Sequence, residues 1–233
     1  MGDCVLRRSM QTAQRVPELP TLDEEVYHLS ADKNTRSILA SLVVDHALLN
    51  DGPIYWVDAR NHAATDPVAA VAPSQRVLDR IHVARGFTPY QHYSIAETLL
   101  DWASTEPPAL VVAPAVDAMY RESMTGIDDC ELLARTVARL TALQRIHDCP
   151  ILLTTTRDDE LTAPVRKSVT AHLNCEQTAC GPRFVSDAFE TFVYPLENGL
   201  VQTTIAYWQS IIEARQPLYS AQDQPNLSKR STV

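Results

Sequence analysis

The chain has 233 residues, of which 45% are hydrophobic and only 6% aromatic, so its core must consist mainly of aliphatic side chains. Its formal net charge of −9 argues against a broad basic face that binds phosphate backbones indiscriminately. No run approaches the roughly 18 uncharged apolar residues of a membrane span, and the first eight residues, MGDCVLRR, lack the apolar segment of a signal peptide. The sequence therefore predicts a cytoplasmic protein without a membrane association.

The make-up of the charge is unusual. The chain has 3 Lys against 17 Arg, and 17 Asp against 12 Glu. Few lysines and many aspartates are typical of proteins adapted to a high-salt cytoplasm, where phosphate attraction is screened. GC-rich coding also favours Arg over Lys, so the composition leaves a halophilic origin and a coding bias both open.

The cysteines predict neither disulfides nor a metal site. Their number, five, is odd and their spacing is irregular, which does not fit a disulfide framework. Cys175 and Cys180, with His172 nearby, fall short of the four ligands that a structural zinc requires. We expect ordinary thiols and no metal.

Apolar runs alternate with helical patterns after a polar N-terminal arm, residues 1–25. The predicted strands are 26–29, 54–57, 81–84, 109–113 and 150–155, and the predicted helices are 38–49, 74–82, 93–104 and 129–147. Residues 157–180 show no clear periodicity.

The end of the chain predicts a hairpin and a tail. Residues 189–195 and 200–205 flank the turn Glu197-Asn198-Gly199, which indicates a C-terminal β-hairpin. The sequence turns polar from about residue 216, and disorder is expected there. Alternating strands and helices predict one α/β domain over 26–212, with a mostly parallel sheet flanked by helices, and a polar tail over 213–233.

Three stretches share a pattern with a known family. They are IYWVDARN at 54–61, IHVARGFTPYQH at 81–92, and residues 110–156, where a strand, MYRE and a long helix lead to a strand ending in threonines. In this order they resemble the ATPase core of the RecA, RadA and RadB recombinases, which carries I-D-T-E-N and I-x-V-A-R-A-F at the first two places. The resemblance covers residues 26 to about 205 and implies a RecA-like fold of the P-loop NTPase superfamily.

The resemblance also identifies a degenerate phosphate-binding loop. The family has G-x-x-x-x-G-K-[ST] between its first strand and helix, and the matching octet here is SADKNTRS. Ser30 and Thr35 replace the two glycines, at an expected cost of roughly 1–2 kcal/mol each if the loop needs positive φ. Arg36 stands at the lysine position and Ser37 keeps the hydroxyl. Arg36 is either a phosphate ligand, since guanidinium binds phosphate well, or a solvated charge behind a helix cap at Ser30 or Asn34.

Two further catalytic positions of the family are replaced. Arg60 stands where the family has the glutamate that activates water, and arginine cannot act as a general base at neutral pH. Ala113 ends the fourth strand, where the family has a carboxylate that holds Mg²⁺. Asp58 remains two residues before Arg60, and Asp117 could approach the site only if the end of the fourth strand were remodelled. The resemblance therefore implies a protein that does not hydrolyse ATP.

Contacts with DNA or a partner are expected at a few basic residues. The family's DNA-contacting loop follows the fourth strand, and this chain keeps Arg121 there. Arg166 and Lys167 form a small basic patch further along. The alternative is that these side chains are solvated charges, because Asp158, Asp159 and Glu160 lie close by in the sequence.

The leading hypothesis is a catalytically inactive RecA/RadA-like paralogue. It would act without a cofactor, as an accessory, scaffold or regulatory protein in DNA recombination or repair. Its expected partner is a protein, such as a recombinase or another repair factor, and DNA would be contacted indirectly. One alternative is a switch that binds ATP through Arg36 and Ser37 without hydrolysis. Another is a weakly active DNA-dependent ATPase that uses Asp58 or Asp117.

Overall fold

The computed structural model describes residues 16–31, 34–59, 65–122, 127–178, 181–192 and 205–222. Its strands are β1 (Val26–Ala31), β2 (Ile54–Ala59), β3 (Ile81–Gly86), β4 (Leu110–Ala113), β5 (Ile151–Leu153), β6 (Ala171–Thr178), β7 (Gly181–Val185) and β8 (Glu190–Phe192). Its helices are α1 (Thr35–Leu49), α2 (Thr65–Val71), α3 (Gln75–Leu78), α4 (Pro89–Thr105), α5 (Ala118–Glu122), α6 (Ile127–His147), α7 (Ala163–Ser168), α8 (Ile205–Ala214) and α9 (Gln216–Gln222), with a 3-10 turn at Glu160–Thr162. Within these ranges, no helix combines the length and apolarity needed to cross a membrane.

The strands form one sheet in the order β3-β2-β4-β5-β1-β6-β7-β8. Neighbours from β3 to β6 are parallel, whereas β6–β7 and β7–β8 are antiparallel. The expected α/β class with a mostly parallel sheet flanked by helices is confirmed.

The C-terminal end of the sheet differs in detail from the predicted hairpin. The antiparallel pairs are formed by β6, β7 and β8, and β6 lies within a stretch that showed no periodicity. Only residues 190–192 of the predicted hairpin are a described strand, and its turn at 197–199 lies outside the described residues. The strand β6 was missed because it alternates buried and exposed residues over only about four positions, and it contains no Val or Ile.

Helices cover both faces of the sheet, and the face on which a helix packs depends on whether its connection runs toward β3 or away from it. The connections that leave β1 and β2 run toward β3, and α1, α2 and α3 pack on one face, together with α8 and α9. The connections that leave β3, β4 and β5 run the other way, and α4 to α7 pack on the opposite face. Right-handed crossovers, the general rule for parallel strands, produce such a distribution of helices. The chain therefore leaves the adjacent strands β1 and β5 toward opposite faces, and the carboxyl end of such a strand pair is where open α/β sheets bind ligands.

A buried ion pair joins the two ends of the described chain to α1. Arg215 donates from Nε and Nη2 to the two carboxylate oxygens of Asp45, at 2.7 and 3.0 Å, and from Nη1 to the carbonyl of Pro17. The hydroxyl of Tyr219 donates to the same carboxylate at 2.6 Å. The two charged side chains of this cluster, Arg215 and Asp45, are both buried.

The ion pair accounts for a difference from the expected tail. Residues 216–222 form α9, with Tyr219 buried, and are not the disordered segment that their polar composition suggested. Leu19 and Leu22 of the expected N-terminal arm are also buried in the core. The polar composition was misleading because Arg215, just before α9, and Tyr219 within it are buried and bind Asp45 of α1. Residues 1–15 and 223–233 lie outside the described part of the chain.

Replacing Arg215 with alanine should cost about 3–5 kcal/mol of unfolding free energy, because Asp45 would remain buried without its countercharge. The measurement is urea denaturation followed by circular dichroism. The matched control is Arg135→Ala, which breaks an exposed pair with Glu131 and should cost no more than about 1 kcal/mol. Equal losses in the two variants would contradict the role given to the buried pair.

Candidate functional site

The loop that the resemblance assigns to phosphate joins β1 to α1 at the centre of the sheet. Ser30 lies within β1, where its hydroxyl donates to the side-chain oxygen of Asn174, and Thr35 is the first residue of α1. The left-handed conformation is found at Asn34, with φ 58°. Asparagine tolerates that region better than most residues. The steric cost expected at Ser30 and Thr35 is therefore absent, since neither has positive φ, while Asp32 and Lys33 lie outside the described residues.

The start of α1 retains features that suit an anion. Arg36 is exposed, and its side chain makes no hydrogen bond or ion pair with the rest of the described chain. The first turn contains no acidic residue, so the positive end of the helix dipole is not offset there. Ser37 is half-buried, and its carbonyl accepts a hydrogen bond from Ser41. No side-chain cap bond is made at Asn34, and Ser30 belongs to the strand, so the expected side-chain cap is not observed.

The carboxylate of Asp58, near the end of β2, forms an ion pair with an arginine of the neighbouring strand. Asp58 is fully buried and accepts a hydrogen bond from Nε of Arg85, its neighbour on β3, at 2.6 Å. Asp58 lies on the same face of the sheet as Trp56, which packs in the same core cluster as α1. The ion pair leaves this carboxylate unsuited to activate a water. Arg60, the expected replacement for the catalytic glutamate, lies outside the described residues.

The end of β4 is remodelled so that another carboxylate reaches the carboxyl edge. Ala113 ends the strand, fully buried, as expected. Ala115 then adopts φ 47° and its N–H donates to the hydroxyl of Thr154, after β5. This turn brings Asp117 against Thr156, whose N–H and hydroxyl donate to the two carboxylate oxygens at 2.7 and 2.5 Å. Asp117 therefore lies at the carboxyl edge of the sheet, and a role for it at a nucleotide site stays a prediction.

Arg121 neutralises this carboxylate. Its Nε donates to Asp117, and its two terminal nitrogens donate to the two oxygens of Asp159 at 2.7 and 3.1 Å. The bond from Arg121 lowers the pKa of the Asp159 carboxyl, and the same bond raises the pKa of the guanidinium. Only 16% of the Arg121 side chain is exposed. Arg121, expected as a contact for DNA or a partner, is thus committed to two aspartates of its own chain.

The other two expected contacts differ from each other. Arg166 is half-exposed but donates to the Asp158 carboxylate and to the carbonyl of Asp159. Lys167 is exposed and forms no ion pair with described residues. Of the acidic residues set against these cations in the sequence, Asp158 is a partner of Arg166, whereas Lys167 has none among the described residues.

A buried polar chain behind the site was not found from the sequence. The Nδ1 of His92 lies 2.9 Å from the hydroxyl of Tyr120, which lies 2.7 Å from the hydroxyl of Thr136, and Thr136 donates to the carbonyl of Leu132. Because Thr136 uses its proton on Leu132, Tyr120 donates to Thr136 and His92 donates to Tyr120. The Nε2 of His92 is buried without a partner. This arrangement holds His92 neutral and links α4, α5 and α6.

The close packing around His92 explains why residue 86 is a glycine and why the pKa of the His92 imidazole is lowered. A Cβ on Gly86 would lie 3.0 Å from the backbone nitrogen of His92, so the strand end approaches α4 too closely for a side chain. Burial lowers the pKa of His92 to about 4. The sequence did carry a signal, since His92 continues the buried stripe of α4 formed by Ala96, Leu99 and Ala103.

His28 is a second histidine that sequence reasoning missed. Its Nε2 lies 3.0 Å from the hydroxyl of Thr155, and its ring is 6.0 Å from that of His172 on the neighbouring strand. Burial lowers the pKa of His28, and the nearby His172 contributes in the same direction. The pair does not form a metal site, since no group of three or more His, Cys, Asp or Glu side chains in the described ranges is arranged to hold an ion.

No protein-family model matches the chain, and no curated protein matches it either. The site therefore has to be interpreted from its own geometry.

The protein should lose stability as the pH falls below about 6.5, in part because of His92. In the unfolded chain its imidazole takes up a proton near pH 6.5, whereas in the folded chain it does so only near pH 4, so the unfolded state binds more protons in between. Between pH 7 and pH 5 this single group should cost about 2 kcal/mol. Urea denaturation at both pH values should show that His92→Gln loses about 2 kcal/mol less than the wild type on acidification.

The control is His82→Gln, which removes an exposed imidazole instead of a buried one and is measured in the same way. The other buried histidines contribute equally to every variant in this comparison. An unchanged pH dependence in His92→Gln would show that His92 is not held neutral.

Proposed function

We propose that this chain is a catalytically inactive paralogue of the RecA/RadA/RadB type, with a RecA-like core. It acts through protein contacts as an accessory, scaffold or regulatory protein in DNA recombination or repair. The proposal combines the sequence resemblance with three features of the chain, namely its sheet, the state of its carboxylates and its exposed strand edge.

The sheet supports the RecA-like assignment. The segment that resembles a phosphate-binding loop follows the inner strand β1 and leads directly into α1. It lies beside the carboxyl end of β5, where the chain leaves two adjacent strands toward opposite faces. A nucleotide-binding ancestor would have used this position.

The observation that carries the proposal is the state of the two carboxylates at the carboxyl edge. Asp58 and Asp117 are both fully buried, and each accepts a hydrogen bond from an arginine, Arg85 and Arg121 respectively. A magnesium site needs carboxylate oxygens that face the metal and its waters. Together with the absence of a carboxylate at position 113, this leaves the metal ligand and the base of phosphoryl transfer unfilled, and the two glycines of the family's loop are also replaced.

The edge of the sheet supports a role in protein binding. Within the described residues β3 pairs only with β2, so one side of its backbone is open. Around it Val83, Phe87 and Tyr90 are exposed, the last two by 66% and 70%. Open strand edges pair with extended segments of other chains, and exposed aromatic side chains add apolar contacts. We therefore expect a protein partner to dock along β3.

A second function is favoured by one observation. Arg36 is exposed and unpaired within the described chain, at the start of a 15-residue helix without acidic residues in its first turn. These are the elements with which a protein holds a phosphate group. They support a switch that binds ATP without hydrolysing it, and the two functions differ in whether ATP binds at all.

Affinity capture from native lysate at native salt should recover a RecA-type recombinase or a single-strand-binding protein. The double variant Phe87→Glu with Tyr90→Glu should lose this capture, because charges on the exposed edge of β3 oppose apolar docking. The matched control is Leu218→Glu, which places a charge on an exposed apolar residue of α9 and should retain it.

Recovery of unrelated proteins alone would contradict the role in recombination or repair. Equal capture by the edge variant and the wild type would show that β3 is not the docking surface.

A further inference from the structure

A groove lies at the amino edge of the sheet, the edge opposite the candidate site. It has a volume of about 600 Å³ and is lined by residues 21–24, 50–51, 108–109 and 148–150, together with His46. These segments precede the strands β1, β2, β4 and β5 or form the end of α1. The groove therefore shares no residue with the carboxyl edge, where the loop that resembles a phosphate-binding loop lies.

Four carboxylates line the groove without a countercharge. Asp23, Glu24, Asp51 and Asp148 are all exposed, and none of them forms an ion pair within the described residues. Among the described residues that line the groove there is no lysine or arginine. Carboxylates around one concave surface add to the same negative potential, so the groove favours a cationic occupant.

The rest of the lining is mostly apolar and uncharged. Leu22, Pro108 and Pro150 are buried. The Nε2 of His46 lies 2.9 Å from the carbonyl of Ala109, and burial lowers the pKa of the His46 imidazole, so this side chain adds no positive charge near neutral pH. An occupant that fits the groove has apolar and cationic side chains next to each other.

The sequence of residues 1–15 has this composition. The segment reads MGDCVLRRSMQTAQR, in which the apolar pair Val5-Leu6 directly precedes Arg7-Arg8. It contains three arginines, the third of which is Arg15, against one carboxylate, that of Asp3. The segment 223–233 is less complementary, since it has two cations against one carboxylate and no pair of adjacent aliphatic residues.

The path of the chain brings residues 1–15 to the groove. Pro17 is held at α1 by the bond from Arg215, and residues 21–24 already form one wall of the groove. Fifteen extended residues span up to about 50 Å, which is longer than the distance that must be covered within one domain. The occupant therefore comes from the same chain without any change in the described fold.

We propose that residues 1–15 dock in this groove of their own chain. The pair Val5-Leu6 packs on the apolar lining, and Arg7 and Arg8 bind the carboxylates around it. The groove is an interaction surface for a basic segment, separate from the candidate site, and the proposal does not depend on the loss of ATP hydrolysis.

The test is photo-crosslinking in the full chain, with p-benzoylphenylalanine in place of Ser9, which lies beside the arginine pair. After irradiation, peptide mapping by mass spectrometry should place the crosslink within residues 21–24, 46–51, 108–109 or 148–150, and the product should have the mass of a single chain.

The variant Asp51→Asn with Asp148→Asn should lower the yield of this crosslink about fivefold, since two exposed ion pairs are lost. Asparagine suits position 148, where φ is 50°. The matched control is Asp101→Asn with Asp187→Asn, which removes two exposed carboxylates outside the groove and should keep the yield.

A charge exchange separates an ionic contact from a general loss of structure. Arg7→Glu with Arg8→Glu should also lower the yield, and adding Asp23→Arg and Asp51→Arg to that variant should restore it. A merely structural role of these residues would not produce the rescue.

Three results would overturn the proposal. They are a crosslink that maps mainly to other residues or to a second molecule, an unchanged yield in the variant of Asp51 and Asp148, and an equal fall in the control. If the groove variant fails to fold by circular dichroism, Arg7→Glu with Arg8→Glu serves as the test, because it changes no described residue. An unchanged yield in that variant would contradict the proposal.

Discussion

The interaction on which the carboxyl edge depends is the one between the buried carboxylate of Asp117 and its donors. Asp117 ends the turn that follows β4 and accepts hydrogen bonds from Thr156, just after β5, and from Arg121 on α5. A buried carboxylate without a countercharge costs several kcal/mol, so the position of Arg121 is dictated by Asp117. Arg121 in turn fixes Asp159 and the loop after β5. One buried charge thereby determines the arrangement of two loops.

This arrangement differs from that of an enzyme in how the carboxylates are used. A nucleotide-hydrolysing site keeps its acidic oxygens directed at a metal and at water, which act on the substrate. In this chain Asp58 and Asp117 are directed at Arg85 and Arg121. The charge that a divalent cation would supply is provided by the protein's own guanidinium groups. The same internal pairing supports the proposed loss of catalysis and engages Arg121 with two aspartates of its own chain.

The sequence predicted the parallel part of the fold because the strands there are continuous apolar runs, such as 110–113 and 151–153, which are completely buried. It did not predict β6, whose exposed face is polar, or α9, which is held by the buried Arg215 and Tyr219. At the site it drew attention to Asp58 and Asp117, and the replacement of catalytic positions stays a prediction from the resemblance. It did not find the pairing of Arg121 with Asp159, because that aspartate lies 38 residues away and meets it only through the pairing of β4 with β5.

The proposed function requires that the chain neither binds ATP tightly nor hydrolyses it. Isothermal titration with ATP and Mg²⁺, combined with phosphate release on the same samples, examines both requirements. We expect binding no tighter than millimolar and no release of phosphate. Micromolar binding that is abolished by Arg36→Ala would contradict it and identify a nucleotide switch. Phosphate release that disappears in Asp58→Asn or Asp117→Asn would contradict it more severely, since it would show an active ATPase.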